Sequence, residues 1–323
     1  MMMKTFEIAA KRSKKKQLIK VVGLSIIGVL VVTGIGIRTL QLLTANHANT
    51  VYKEHELLTQ VAYPNIEYST YYYKATGMFA GAVHADRHKN LAGIPVAFGD
   101  YEHHYDWMGS YHDPSQDGAS YKKGGAYDRQ TWTKLPLFFN TDVSNRDNTA
   151  NSPSKELAMV KDMPNQLVEV AITFNKRYSY ADLQKMLPKN LQQNWYWIGT
   201  QSKQEAPDRI DQLFGLRAEA LQVVKLDDTS PQEIRERNAL TPMKELVGKY
   251  KMSIGDYKLS NDLQAFLDKF GHTDFTKQSD IDKMEFAGVI LTGQAEDFAQ
   301  LENAEWIYAS SIGASTPKQP YHR

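Results

Sequence analysis

An uninterrupted apolar run near the N-terminus constrains this chain more than any other feature of its sequence. The 17 residues from Val21 to Ile37 carry no charge and are almost all aliphatic or glycine. At a rise of about 1.5 Å per residue, a helix of this run, lengthened by Leu18 and Ile19, approaches the ~30 Å thickness of a bilayer's hydrocarbon core. A helix buried in a soluble core rarely begins beside a basic cluster. The sequence therefore predicts a transmembrane helix over residues 21–38.

The residues before this run are strongly basic. Seven Lys and Arg residues precede it, against the single acid Glu7. Because short segments rich in Lys and Arg stay in the cytoplasm, residues 1–20 are predicted to be a cytoplasmic tail and the bulk of the chain to be extracytoplasmic. The predicted localisation is the cell membrane, with a single span. The basic tail is also expected to contact anionic membrane lipid.

A cleaved signal peptide is the alternative interpretation, since it shares a basic start and an apolar segment. Signal peptides usually have only ~7–15 apolar residues, fewer than this run. No A-x-A cleavage site follows either, because Ala45 and Ala48 are separated by Asn46 and His47. Both observations favour an uncleaved anchor.

Charge and cysteine content exclude several classes of function. Eight of the 38 basic residues and one of the 37 acidic residues precede residue 39, so the remainder is mildly acidic, with 30 basic against 36 acidic. That balance argues against a nucleic-acid partner. The absence of cysteine excludes disulfides and thiolate metal sites. The outer part must therefore rely on its own hydrophobic core, which some 285 residues can form, most simply as two domains.

Composition divides the first part of the outer region. Residues 39–63 fit a helical stalk, which Pro64 ends. Residues 64–139 alternate short aromatic or β-branched runs with Gly, Pro, Asn and Asp, which predicts a β-rich region whose best strand is Ile66 to Thr76. Within it, Asp113 to Asp128 has the composition of a loop. The polar residues 140–154 are predicted to be a linker.

Residues 155–323 are predicted to form a C-terminal α/β domain. Leu167 to Phe174 is a buried strand, Tyr180 to Leu187 a short helix stopped by Pro188, and Trp195 to Thr200 a second strand. The same progression recurs at residues 286–292, 295–301 and 306–312. Two βαβ units, each expected to give a parallel pair, predict a ferredoxin-like split sheet. Intervening helices are expected to begin at Ser230 and Thr241 and to cover residues 260–270. The predicted fold class is therefore α+β, with one N-terminal transmembrane helix.

Histidine and tyrosine are concentrated in the β-rich region. The histidines are His84, His88, His103, His104 and His112. A metal site would need ligands on one face, but Gly81 and Gly93 make a helix through His84 and His88 doubtful, and surface histidine is the favoured interpretation. The aromatic cluster comprises Tyr68, Tyr71, Tyr72, Tyr73, Tyr101, Tyr105, Trp107 and Tyr111. It could bind a glycan or peptide by stacking, although alternation along a strand places part of it in the core.

No catalytic constellation stands out in the sequence. The outer region has no GxSxG, Walker or GxGxxG motif. Paired acids such as Asp280 and Asp282 are better explained as capping or solvated groups. We therefore predict no enzymatic activity, no catalytic or cofactor-binding residue and no cofactor or metal, and leave the ligand unknown.

Two segments resemble the C-terminal domain of the sigma factor regulator family. They are VEVAITFNKRYSYADLQKMLPKNLQQNWYWI, from Val168, and FAGVILTGQAEDFAQLENAEWIYASSIG, from Phe286. The basic tail, the single span and the segment PNIEYSTYYYKATGMFAG are similar to the family's N-terminal portion. These are membrane proteins of Gram-positive bacteria that include anti-sigma factors for extracytoplasmic-function sigma factors.

The resemblance implies a regulator that holds a sigma factor at the membrane and responds to an envelope condition. The chain departs from this expectation because a tail of about 20 residues without a zinc motif is too short for a helical bundle that wraps a sigma factor. It could supply a small basic contact or act through a partner membrane protein. The alternative function is an anchored extracytoplasmic sensing or binding module that acts on another membrane protein or a cell-wall component, without binding a sigma factor.

Overall fold

One helix dominates the computed structural model, which describes residues 2–112, 119–122, 125–143, 152–201, 205–223, 240–248, 253–254 and 257–319. Helix α1, Met2–Val61, continues without a break through the basic tail, the apolar run and the stalk. The chain has no proline before Pro64, so nothing interrupts its backbone hydrogen bonds. The protein buries none of the most apolar stretch of α1. Among the described residues, this is the one helix long and apolar enough to cross a membrane.

The first sheet follows directly and packs against α1. Its strands are β1 Ile66–Gly77, β2 Ala80–Leu91, β3 Ile94–Asp106 and β4 Ser110–His112, antiparallel and in that spatial order. The strand predicted from Ile66 is thus present as β1. Side chains alternate between the two faces, and one face is covered by the C-terminal half of α1.

The segment predicted to be a loop, Asp113 to Asp128, contains a hairpin, which corrects that prediction. A small antiparallel sheet is formed by β5 Ala119–Lys122, β6 Gly125–Asp128 and β7 Lys134–Leu135. Residues 113–118 and 123–124 lie outside the described residues. The composition misled because the buried positions are small, such as Ala119 and Ala126. The carboxylate of Asp128 stabilises the next turn by accepting hydrogen bonds from the backbone of Gln130 and Thr131.

The C-terminal region contains one large sheet surrounded by short helices. Its strands are β8 Gln166–Ser179, β9 Gln192–Trp197, β10 Gly215–Arg217, β13 Glu285–Gln294 and β14 Ile307–Pro317, while β11 Ser253–Ile254 and β12 Tyr257–Lys258 form a separate pair. The α-helices are α2 Tyr180–Met186, α3 Leu240–Leu246, α4 Ser260–Phe270 and α5 Gln278–Ile281. The 3-10 helices cover Glu156–Asp162, Ala218–Leu221 and Ala295–Leu301.

All neighbouring strands of this sheet are antiparallel, in the order β10-β9-β13-β8-β14. The predicted hydrogen-bonded parallel pairing within each strand–helix–strand set is therefore wrong. Strand β13 inserts between β8 and β9, so that Val289 pairs with Ile172 on one side and Tyr196 on the other. Likewise β8 lies between β13 and β14. Strand β13 is thus the antiparallel neighbour of both strands of the first set, β8 and β9. Strand β8 is likewise the antiparallel neighbour of both strands of the second set, β13 and β14.

A single hydrophobic core joins the helix to the large sheet. Leu58 and Val61 of α1 belong to the same buried cluster as Val170, Leu183 and Phe286. The division at residues 140–154 into two domains stays a prediction, and residues 144–151 lie outside the described residues.

Helix boundaries follow local signals where the chain is described. The Ser179 side chain caps α2 by accepting a hydrogen bond from the Asp182 backbone. Helix α4 ends before Gly271, as expected from the sequence. Helix α3 begins one residue before Thr241, whereas the helix predicted from Ser230 lies outside the described residues.

Candidate functional site

The last four turns of α1 dock onto the first sheet through an aromatic contact. Val51 is buried against Val83 and Ala85 on the sheet. On the same side of the helix, Tyr52 stacks on Tyr71 with ring centroids 4.4 Å apart. His55 stacks on Tyr101 at 3.6 Å between centroids. Helix α1 and the first sheet are therefore one packed unit.

Hydrogen bonds along this contact join successive turns of α1 to successive positions on the first sheet. Thr44 Oγ1 donates to Phe79 O at 3.2 Å, and Tyr71 Oη donates to the carbonyl of Tyr52 at 2.9 Å. Burial, reinforced by the neighbouring Tyr52, raises the pKa of Tyr71, so its hydroxyl remains a donor throughout the physiological pH range. His47 Nδ1 donates to Asp106 O at 2.8 Å. Strand β1 thus runs antiparallel to α1, back toward the apolar run.

A buried ion pair joins the first sheet to the large sheet. Lys89 of β2 and Glu169 of β8 are both almost fully buried, and Lys89 Nζ lies 2.7 Å and 2.9 Å from the two carboxylate oxygens. Asn65 Nδ2 donates to Glu169 Oε1 at 2.8 Å, and the Ala314 backbone donates to Oε2 at 3.0 Å. Such a pair is stable only when its remaining polar atoms are hydrogen-bonded. These four contacts meet that requirement for Glu169. A side chain at position 313 would collide with this carboxylate, so Gly313 is required there.

A second set of hydrogen bonds reinforces the same junction. Asn194 Nδ2 donates to Asn65 Oδ1 at 2.9 Å and to Asn90 O at 3.2 Å. Thr292 Oγ1 donates to Asn194 Oδ1 at 2.8 Å and accepts from the backbone of Ala92 at 3.1 Å. The turn between β2 and β3 is thereby tied to the middle of the large sheet.

A polar cleft opens beside this junction. Its volume is about 230 Å³, and its lining is dominated by amide and charged side chains: Asn65, Glu67, Gln192, Gln193, Asn194, Arg217, Glu219 and Gln222, with Ala218. Both the first sheet and the large sheet contribute to it. A polar ligand in this cleft would touch the two parts of the protein at once.

The histidines singled out in the sequence do not converge on one point. His84, His88 and His104 lie on the sheet face opposite α1, where His88 approaches Glu67 at 3.3 Å and His104 approaches Glu102 at 3.4 Å. His103 hydrogen-bonds to the hydroxyl of Tyr101 at 3.2 Å. His112 is its register partner on β4.

His84 lies at the centre of a surface charge network. Its Nδ1 is 3.2 Å from Glu102 and its Nε2 is 3.0 Å from Asp86. Hydrogen bonds from Thr70 and then from His84 lower the pKa of Asp86. Burial tends to raise the pKa of Glu102, but hydrogen bonds from His84 and Lys74 outweigh it, and the net pKa is lowered. Both carboxylates therefore remain charged at neutral pH.

We expect the paired substitution His84→Ala/His88→Ala to leave the metal content of the purified protein unchanged. On a strand, residues four apart are about 13 Å apart, too far to share an ion. The potential ligand atoms of His84, Asp86 and Asp100 do lie within 4.8 Å of one another. Both ring nitrogens of His84, however, are already hydrogen-bonded, to Glu102 and Asp86. Metal analysis after dialysis is the measurement. Loss of one metal equivalent from His84→Ala alone, with His88→Ala as its matched control, would instead place an ion at this group.

The tyrosine cluster is divided between core and surface. Tyr71, Tyr101 and Tyr105 face α1, whereas Tyr72 and Tyr111 are exposed on the opposite face. Tyr111 stacks on His104 with centroids 5.2 Å apart. A continuous stacking platform of all eight aromatic residues is therefore not formed.

Sequence reasoning missed the residues of the junction, although one signal was available. Glu169 is a charged residue in the middle of the apolar run LVEVAITF, and a buried carboxylate requires a partner. Nothing local identifies that partner as Lys89, which lies 80 residues earlier.

Models of two protein-family domains match the chain. The sigma factor regulator N-terminal domain matches residues 7–96, and the sigma factor regulator C-terminal domain matches residues 160–314. The chain belongs to the sigma factor regulator family. Neither a search of curated proteins nor a search of solved structures found a match.

Membership in the sigma factor regulator family gives the geometry a functional frame. It is a regulatory, non-enzymatic family, and its name implies interaction with a sigma factor. Together with the apolar part of α1, it identifies a single-pass membrane protein. The N-terminal match includes Asn65 and Lys89, and the C-terminal match includes Glu169 and Ala314. The buried ion pair is thus one of the contacts between the family's two domains.

Proposed function

We propose that the protein is a membrane-anchored extracytoplasmic regulator that controls an extracytoplasmic-function sigma factor in response to an envelope condition. In this proposal the N-terminus is cytoplasmic, as the basic tail predicts. The observation that carries it is the continuity of α1. One helix contains the basic tail and the apolar run and then enters the packed core of the outer part.

This continuity supplies a route for a signal. A change in the outer part that moved the first sheet would move α1 with it, because Val51, Tyr52 and His55 are packed against that sheet. The buried pair of Lys89 and Glu169 extends the same rigid unit to the large sheet. A rotation or shift of α1 would then reach the tail across the membrane.

The proposal includes a contact between the tail and a partner in the cytoplasm. The tail of residues 1–20 belongs to α1, and its basic residues include Lys11, Arg12, Lys14, Lys15 and Lys16. A single helix of this length offers a small contact. It acts on a sigma factor directly or through a partner membrane protein.

Replacing residues 1–16 by an unrelated sequence with the same number of Lys and Arg residues tests the cytoplasmic part. We expect this chain to reproduce the transcript profile of the gene deletion, because the basic residues that set orientation are kept while the specific contact is lost. Genome-wide transcript levels are the measurement, and the natural chain expressed from the same locus is the control. Normal transcript levels with the replaced tail would contradict a sequence-specific tail contact.

The second candidate function is an anchored sensing or binding module without a sigma-factor contact. The cleft of about 230 Å³ beside Asn65, Asn194 and Arg217 favours it, because it is polar and joins both family domains. Such a module should keep its effect when another membrane anchor replaces residues 1–38. The sigma-factor proposal expects that replacement to abolish regulation.

We also infer that residues 155–323 form a ferredoxin-like domain separate from the β-rich region 64–139. The order β9-β13-β8-β14 supports this inference, since two strand–helix–strand sets with interleaved strands characterise that fold. Strand β10 would be an addition at its edge.

A further inference from the structure

Two turns of the first sheet lie beside α1 just beyond the apolar run. The β1–β2 turn carries Met78, and the β3–β4 turn carries Trp107 and Met108. These side chains are 74%, 44% and 71% exposed. Large apolar side chains so exposed at adjacent turns need a partner or a low-dielectric environment.

The helix contacts fix the height of each turn above the membrane, at Thr44 for the first turn and at His47, three residues further along α1, for the second. Thr44 hydrogen-bonds to Phe79 at the first turn, and Thr44 lies seven residues beyond Ile37. Seven residues correspond to about 10 Å along a helix. The headgroup region of a bilayer leaflet extends about 5–8 Å beyond the hydrocarbon core, so the side chains of these turns reach it by pointing toward the membrane.

Strand direction places the first turn at the end of the hairpin nearest the bilayer. Strand β1 descends along α1, from the contact of Tyr71 with Tyr52 to that of Phe79 with Thr44. Met78 lies at the turn where the chain reverses, and is therefore at the end of the hairpin nearest the apolar run. Leu42 and Leu43, exposed on α1 at this level, extend the apolar surface toward the span.

The second turn is held in a defined shape. Asp106 Oδ1 accepts hydrogen bonds from the backbone of Met108 at 2.7 Å and of Gly109 at 3.0 Å. His47 of α1 donates to Asp106 O and fixes the turn to the helix. Trp107 is thus presented outward on a rigid support, and tryptophan is the residue most characteristic of the membrane–water interface.

We propose that Met78, Trp107 and Met108 insert into the interfacial region of the leaflet on the sheet side of the membrane. The first sheet is then held by two membrane contacts, the helix and these turns. Tilting of α1 in the bilayer would be limited, and the sheet would report on the state of the lipid surface itself. This proposal requires that α1 spans the membrane but not that the tail binds a sigma factor.

Quenching of tryptophan fluorescence by brominated lipid tests the proposal. The full chain is reconstituted into phosphatidylcholine vesicles whose lipids carry bromine at acyl carbons 6 and 7, and its emission is compared with that in unbrominated vesicles. We expect a loss of up to one-fifth of the emission, because Trp107 is one of five tryptophans. Trp107→Phe should reduce this quenching at least fivefold.

Trp132→Phe is the matched control. Trp132 is also exposed, but it lies in the turn after β6, near Asp128 and away from Met78, and its removal should preserve the quenching. A second variant, Met78→Ser/Met108→Ser, retains all tryptophans and should shift emission to longer wavelength as Trp107 withdraws into water.

Three outcomes would overturn the proposal. Quenching that is unchanged in Trp107→Phe would show that Trp107 does not reach the lipid. A natural chain that shows no quenching would lead to the same conclusion. Extraction of the chain by carbonate would show that α1 itself is not inserted, which is a separate failure from that of the turns.

Discussion

Glu169→Gln is expected to lower the free energy of unfolding by about 3–5 kcal/mol, because it leaves the buried ammonium of Lys89 without a compensating charge. Lys89 has 1% of its side chain exposed and Glu169 none. The substitution keeps the shape of the side chain, so the loss reports the uncompensated charge and not a cavity. Urea unfolding of the full chain in detergent, followed by circular dichroism, is the measurement.

Two further variants separate this effect from a general sensitivity to charge. Lys161→Met removes an exposed pair with Glu302 at 3.3 Å and should change stability by no more than about 1 kcal/mol. Lys89→Met/Glu169→Met removes both charges together and should recover most of the loss, since a buried pair can be replaced by apolar side chains at little cost. A double variant as unstable as Glu169→Gln would mean that the hydrogen bonds of Asn65 and Ala314 matter more than the charge.

Sequence patterns predict the elements of this fold whose causes are local. The apolar run from Val21 to Ile37 and the stop at Pro64 predict the part of α1 that follows the basic tail. The aromatic and β-branched run IEYSTYYYKAT predicts β1, and the run YADLQKML before Pro188 predicts α2. In each case the deciding interaction lies within a few residues along the chain.

The remaining features depend on partners that are distant in sequence. Residues 286–292 read as a buried strand, but only the assembled sheet shows that Val289 pairs with both Ile172 and Tyr196. Glu169 is a charged residue in an otherwise apolar strand, and its burial is explained by Lys89, which lies on another sheet. The hairpin of β5 and β6 was missed because its buried residues, such as Ala126, are small and carry little hydrophobic signal. The junction between the two family domains could not be predicted from local patterns, because its contacts join residues that are distant in sequence.

Val51→Asp is expected to detach the first sheet from α1. Val51 is 2% exposed and packs against Val83 and Ala85. An unpaired carboxylate in this contact should cost about 3 kcal/mol, which corresponds to a ~100-fold rise in local opening. Amide hydrogen exchange of residues 44–61 in vesicles should accelerate by that factor. If α1 carries the signal, Val51→Asp should also fail to restore the transcript profile of a deletion strain.

Thr50→Asp is the matched control, because it introduces the same charge one residue away on the exposed side of α1. It should restore the transcript profile and leave exchange in residues 44–61 within a few-fold of the natural chain. Immunoblots of membrane fractions establish that both variants accumulate equally. Normal regulation by a Val51→Asp chain whose exchange is accelerated would contradict transmission through the docked helix, and would direct attention to the outer module as the functional unit.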